Sequence, residues 1–210
     1  MINSYLQHHQ RREHNISQVI GGSIEIRGDV PIPLLEMPKP QEKPLMDEVD
    51  RLLDEIETFP TKDPYKDKTR KIFVSQIGEK VMSMIFGKVR AYDKKELVNS
   101  SITNKGKYAE LEETLRKLMK VHNPLFRYTT IQVNKSLQTP YHFDKGNVGM
   151  SYLIAFGKFK GGGTVVKVRE NKIIKYNNNH AWLYFDGHNA EHKSALSTGT
   201  RYAVVFYTKS

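Results

Sequence analysis

Beyond Pro124 the chain alternates apolar and polar residues with period two, and it does so to its end. Six stretches carry the pattern: 127–134, 148–156, 163–168, 172–176, 181–185 and 201–208. They are rich in Val, Ile, Tyr, Phe and Thr, residues that suit a pleated, half-buried surface. Turn residues separate them: Gly157, Gly161-Gly162-Gly163, Asn177-Asn178-Asn179, Asp186-Gly187 and Gly199. Short strands at regular spacing predict a sandwich or jelly roll, because each strand has one face to bury and only a second layer can bury it.

The first half reads differently. Leu45, Val49, Leu52, Leu53 and Ile56 recur at helical spacing and predict a helix over about 45–57, with Pro44 in its first turn. Tyr108, Leu111, Leu115, Leu118 and Met119 predict a second helix over about 106–120, which Pro124 closes. The stretch 72–91 fits helix and strand equally. The expected class is α+β, with flanking helices on a β-core. Residues 1–43 read as an N-terminal extension ending in a proline-rich connector, in which Val19-Ile20 and Ile24-Glu25-Ile26 are short strand candidates. Residues 44–210 read as one domain, with helical support over 44–124 and the β-core over 125–210.

Composition narrows the chemistry. With no cysteine in the chain, disulfides and thiolate metal sites are excluded, so a metal here needs His, Asp or Glu. No run of about twenty apolar residues occurs, and the N-terminus lacks a signal peptide's apolar stretch. The expectation is therefore an intracellular monomer without a membrane span, nuclear in a eukaryote or cytoplasmic in a bacterium or phage. The net charge of +10 favours a polyanionic partner, DNA first. The charged segment 61–71, with Lys62, Lys66, Lys68, Arg70 and Lys71, is a candidate for phosphate contact.

His142 and Asp144 lie two apart, so on an extended strand both point to one face. One imidazole and one carboxylate side by side are two of the three protein ligands that an open Fe(II) site needs. His192 is the expected third. His188 competes for that place, but the nine residues from His192 to Arg201 suit a short hairpin that brings both into one pocket. His122 and His180 read as ordinary loop and strand-start residues. A keto acid such as 2-oxoglutarate chelates iron at one end and leaves a carboxylate at the other. That carboxylate calls for a planar, permanently charged partner, and Arg201 is well suited.

These residues resemble the Fe(II)/2-oxoglutarate-dependent dioxygenases of double-stranded β-helix fold. The matching pattern is His142-x-Asp144, the distal His192 and Gly199-x-Arg201 before the last strand. Lys160-Gly161-Gly162 is similar to the superfamily's glycine pair. Three stretches further resemble the TET/JBP family, which hydroxylates the 5-methyl group of pyrimidine bases. They are Gln132-Val133-Asn134-Lys135, His142-Phe143-Asp144-Lys145-Gly146-Asn147 and Phe86-Gly87-Lys88-Val89. The resemblance covers about residues 70–208.

The resemblance implies iron on His142, Asp144 and His192, 2-oxoglutarate on Arg201, O2 as cosubstrate, and Asn147 and Tyr207 against the substrate base. It implies hydroxylation of 5-methylcytosine or thymine in DNA. Two departures stand out. Ala203 replaces a serine that the superfamily often places two residues after the arginine, and Lys209 falls where TET proteins carry a base-contacting histidine. A hydroxylase of protein side chains or small molecules, and a non-catalytic nucleic-acid-binding jelly roll, are the competing expectations.

Overall fold

The computed structural model describes residues 30–62, 81–91, 96–168 and 172–210. The candidate strands near Val19 and Ile24, the basic residues of 63–71 and the stretch 72–80 lie outside the described residues.

Thirteen strands are described. They are β1 Leu34–Glu36, β2 Thr61–Lys62, β3 Val81–Arg90, β4 Leu97–Asn99, β5 Thr130–Lys135, β6 Asn147–Phe156, β7 Phe159–Gly161, β8 Thr164–Val168, β9 Lys172–Tyr176, β10 Trp182–Phe185, β11 His192–Ser194, β12 Ser197–Gly199 and β13 Tyr202–Lys209. The helices are α1 Lys43–Asp54, α2 Ser101–Lys105 and α3 Ala109–His122. The six expected strands all form, shifted by up to three residues at their ends. The described part of the ambiguous stretch 72–91 forms β3, which Gly87 interrupts with a positive φ of 79° rather than ending.

The major sheet runs β1-β10-β6-β13-β5-β3-β2, with β4 on β3, and every pairing is antiparallel. Alternation gives it two chemically distinct faces. Phe86, Ile131, Val133, Ile154, Phe156, Trp182, Val204 and Phe206 cover one face, which packs on α1 and α3. Both helices present a matching stripe, Met46, Val49, Leu52 and Leu53 from one and Leu111, Leu115, Leu118 and Met119 from the other. Each such side chain removed from water stabilises the fold by roughly 1.5–3 kcal/mol before entropy is counted. Among the described residues, no helix is long and apolar enough to cross a membrane.

The opposite face carries Leu153, Leu183, Phe185 and Val205 and meets the second sheet, β11-β8-β9, through Val166, Ile174 and Tyr176. Two sheets facing each other over a shared interior make the jelly-roll, double-stranded β-helix core. Helices support the back of its major sheet, as the α+β expectation required.

The proline-rich stretch holds more structure than a connector's composition implies. Leu34–Glu36 pairs with β10 as an edge strand. Six residues on, Glu42 is fully buried, accepting Trp182 Nε1–H at 2.6 Å and facing His122 Nδ1 at 3.0 Å. His122 is correspondingly no ordinary loop residue. It ends α3, is buried, and stacks on Trp182 with ring centroids 4.4 Å apart.

Candidate metal centre

Each site residue comes from a different local cause. Asp144 and Asn147 belong to a tight turn, closed by Asn147 N–H donating to the Asp144 carbonyl at 2.9 Å. The turn leads straight into β6. At Gly146 a Cβ would meet only the flexible end of Lys209, whose ammonium lies against the turn. The C-terminal residue Ser210 holds the same turn through N–H to the Gly146 carbonyl at 3.2 Å. His142 sits opposite His192 in an isolated antiparallel bridge, with both backbone hydrogen bonds made, at 2.9 and 3.0 Å. The bridge adds a fourth row to the second sheet.

This bridge brings the two histidines together from positions fifty residues apart. Their rings lie 4.3 Å centroid to centroid. His142 Nε2 is 3.6 Å from Asp144 Oδ1 and His192 Nε2 is 3.7 Å from Asp144 Oδ2. Both separations lie within ion-pair range, so the two imidazoles converge on the one carboxylate. Their ligand atoms all fall within 4.8 Å of one another, a triangle that one ion can bridge. His188 stays in its exposed loop, where its N–H donates to Asp186 Oδ1. The structure thus brings His192, and not His188, to Asp144, but without a hairpin between His192 and Arg201, since β11 pairs with β8 and β12 with β7.

The protonation pattern is fixed from behind. His142 Nδ1 lies 2.8 Å from the Pro140 carbonyl, and His192 Nδ1 lies 2.8 Å from the Ala190 carbonyl. A carbonyl oxygen only accepts, so each Nδ1 carries the hydrogen. In the neutral ring each Nε2 is then the unprotonated nitrogen and faces Asp144, the arrangement a metal-binding imidazole needs.

The charges act in opposite directions on the pair. Burial resists protonation of His142, but the Asp144 carboxylate outweighs it and holds the His142 pKa above its usual range. Burial dominates at His192 and pushes its pKa down. Burial also favours the neutral form of Asp144, yet His142, His192 and Lys209 prevail and hold the carboxyl below its usual range. The result is an ionised carboxylate between two imidazoles.

Arg201 lies just before β13, only 4% exposed, and no carboxylate partners it among the described residues. Its Nε is buried without a hydrogen-bond partner, and burial pushes the guanidinium down to about 10, still charged at neutral pH. Its head lies over the Phe159 ring, 5.8 Å from the centroid. Gly162 adopts φ 74°, and a Cβ there would come within 3.3 Å of Arg201 Cδ. Gly162, the second of the glycine pair that stood out in the sequence, therefore leaves room for the arginine and the Phe159 ring.

Asn147, the residue expected against the base, lies beside the carboxylate ligand. It is 8% exposed, and its Nδ2–H donates to Asp144 Oδ2 at 3.3 Å. Its amide faces the carboxylate because the turn folds residue 147 back beneath residue 144. Tyr207 is buried on β13, in line with Val205 on the inward face. Lys209 lies opposite Asn147 across the strand pair. The carbonyls of Pro140 and Ala190 went unread in the sequence, since a backbone oxygen carries no residue signature.

The donor set fits a divalent iron held by two imidazoles and one carboxylate with further positions open. The orphaned, buried Arg201 Nε fits an anionic group from outside the chain. No protein-family profile and no curated protein matches the chain. Among solved structures, it is similar to NgTET1 in complex with 5mC DNA, at 12% identity and a TM-score of 0.47, covering 82% of this chain and 69% of that one. It is similar to a Pseudomonas putida prolyl-4-hydroxylase at 11% identity and 0.49, covering 85% and 92%. It is also similar to a Trichoplax adhaerens prolyl hydroxylase in complex with a hypoxia inducible factor peptide, at 14% and 0.49, covering 84% and 83%. Likeness at this level does not extend to substrate or chemistry.

Proposed function

We propose that this chain is an Fe(II)- and 2-oxoglutarate-dependent dioxygenase. The observation that carries the reading is the pairing of a convergent His142/Asp144/His192 triangle with a buried, carboxylate-free Arg201 in one β-core. Charge alone explains neither half. A purely nucleic-acid-binding jelly roll has no use for two imidazoles locked as Nδ1–H tautomers and aimed at a carboxylate.

The protein's own contribution is positioning. The Pro140 and Ala190 carbonyls hold the imidazoles with Nε2 inward. Asp144 supplies the anionic ligand, and Arg201 takes the distal carboxylate of 2-oxoglutarate in a site where burial strengthens the pairing. The Phe185 ring meets His192 edge-on at 5.0 Å and helps keep water from that ligand. When bound, iron and 2-oxoglutarate supply the oxidising power that converts a substrate C–H bond and O2 to an alcohol, with succinate and CO2 as coproducts.

For the substrate, we propose the 5-methyl group of a pyrimidine base in DNA, 5-methylcytosine or thymine. The net charge of +10 and the motif resemblance around His142–Asn147 support it. A base within a duplex has to be flipped from the stack to reach the site, at a cost of a few kcal/mol. Tyr207 is then the aromatic neighbour of the base, and Lys209 stands where it could meet an acceptor on the base edge or a flanking phosphate. The basic surface makes binding salt-sensitive.

The test is incubation with Fe(II), ascorbate and 2-oxoglutarate against methylated DNA, unmodified DNA and a peptide pool, read by mass spectrometry. Succinate release and a gain of one oxygen on methylated DNA are expected, and both vanish in His142→Ala. Full activity in that variant refutes the metal assignment. Oxygen gained only on peptides keeps the enzyme class and replaces the substrate.

A further inference from the structure

The strand register arranges the interior in layers. One layer is His142 opposite His192, His192 opposite Val166 and Val166 opposite Ile174. Two residues along the same face, Ser194 lies opposite Thr164 and Thr164 opposite Tyr176. Two strand residues advance about 6.6 Å, comparable with the reach of a five-carbon diacid from its keto-acid end to its far carboxylate. A group bound at the histidine layer therefore has its far end near Thr164.

Asn178 meets that layer from the other sheet. Its backbone carbonyl accepts the Ala155 N–H at 2.9 Å, and Ala155 lies opposite Ala203, two residues from Arg201. Its side chain is fully buried, with Oδ1 accepting Thr164 Oγ1–H at 3.4 Å. Its Nδ2 has no partner, and neither has Arg201 Nε. Arg201 Cδ lies against Gly162, two residues before Thr164. The two orphaned donors, one of them cationic, thus belong to residues that both meet the short segment from Gly162 to Thr164.

A buried donor without an acceptor is destabilising, and most are satisfied. A carboxylate offers two oxygens with about four acceptor directions, enough for both. Ala203, whose methyl cannot donate, leaves room for a donor from elsewhere. We infer that Asn178 is a specificity-determining residue for the cosubstrate. Its amide binds the distal carboxylate of the keto acid beside Arg201, and it thereby selects for acids long enough to reach it. The inference rests on the reading of Arg201 proposed above.

Calorimetry on the full chain loaded with Mn(II) tests it without turnover. Two titrants are compared, 2-oxoglutarate and 2-oxobutyrate, which has the same keto-acid end but no distal carboxylate. Asn178→Ala is expected to weaken 2-oxoglutarate about 10-fold or more and to leave 2-oxobutyrate unchanged. Asn178→Asp, which sets a negative charge against the carboxylate, is expected to weaken 2-oxoglutarate further. Melting of each variant checks the fold, and Asn178→Ser, smaller but still a donor, is expected to fall between wild type and Asn178→Ala. Equal losses for both acids, or an unchanged 2-oxoglutarate affinity in Asn178→Ala while Arg201→Gln abolishes it, overturn the inference alone. A wild-type chain that takes up no 2-oxoglutarate overturns the function and the inference together.

Discussion

Asn147→Ala separates a residue that positions the metal ligand from one that reads a base. The substitution removes the Nδ2–H bond to Asp144 Oδ2 at 3.3 Å and leaves the turn's backbone bond, Asn147 N–H to the Asp144 carbonyl at 2.9 Å, intact. Loss of a hydrogen bond behind a metal ligand lowers metal affinity 10- to 100-fold in general. A 3.3 Å bond is at the long end of the range, so the lower end applies, about 10-fold or 1.4 kcal/mol. The assay is a Mn(II) titration of the purified chain, following free Mn(II) by electron paramagnetic resonance, with His142→Ala as the control that abolishes binding. The melting temperature of the apo variant is expected to stay within a few degrees of wild type, since the residue starts a strand that alanine tolerates. Unchanged Mn(II) affinity, together with altered selection between 5-methylcytosine and thymine oligonucleotides, refutes the positioning role and restores the base-reading one.

Other perturbations probe the scaffold. A divalent ion at one hundred times its Kd is expected to stabilise the wild-type chain by about 2.7 kcal/mol, and His192→Ala to abolish that increment in a thermal melt. Glu42→Leu strands Trp182 Nε1 and His122 Nδ1 in an apolar setting. At about 1–3 kcal/mol per orphaned group, a loss of about 2–6 kcal/mol is expected in urea unfolding; a loss below about 1 kcal/mol would mean the network is dispensable. Gly87→Ala forces a left-handed residue and drives a Cβ into the Thr129 carbonyl, so it is expected to prevent stable folding, as read by circular dichroism. Gly146→Ala displaces only the flexible end of Lys209, and near-wild-type stability with a changed salt dependence of DNA binding is expected.

The site was legible in the sequence to different depths. His142-x-Asp144 could be read because two residues apart on extended chain means one face, a local rule needing no tertiary information. The preference for His192 over His188 drew on loop length, whereas what carries His192 to His142 is an isolated bridge that loop length does not reveal. The contact of Asn147 with Asp144 could not be read, because its side chain's direction depends on a turn that Gly146, Lys209 and Ser210 pack against, and the last two arrive from the far end of the chain. His122 and Glu42 could not be paired from sequence. They lie 80 residues apart, one at the end of a helix and the other in a proline-rich stretch of connector-like composition.

Hydrophobic period, turn residues and the absence of cysteine determined by themselves that the second half forms a β-sandwich and that any metal must rest on His and carboxylate. These are local or additive properties, readable from short stretches of chain without the tertiary fold. The tertiary structure alone decided which buried polar groups are satisfied by the chain and which are left for a ligand. Asp144 and Asn147 satisfy each other, while Arg201 Nε and Asn178 Nδ2 find no partner. Hydrogen-bond satisfaction depends on separations of a fraction of an ångström between strands far apart in sequence, and only their register sets those distances.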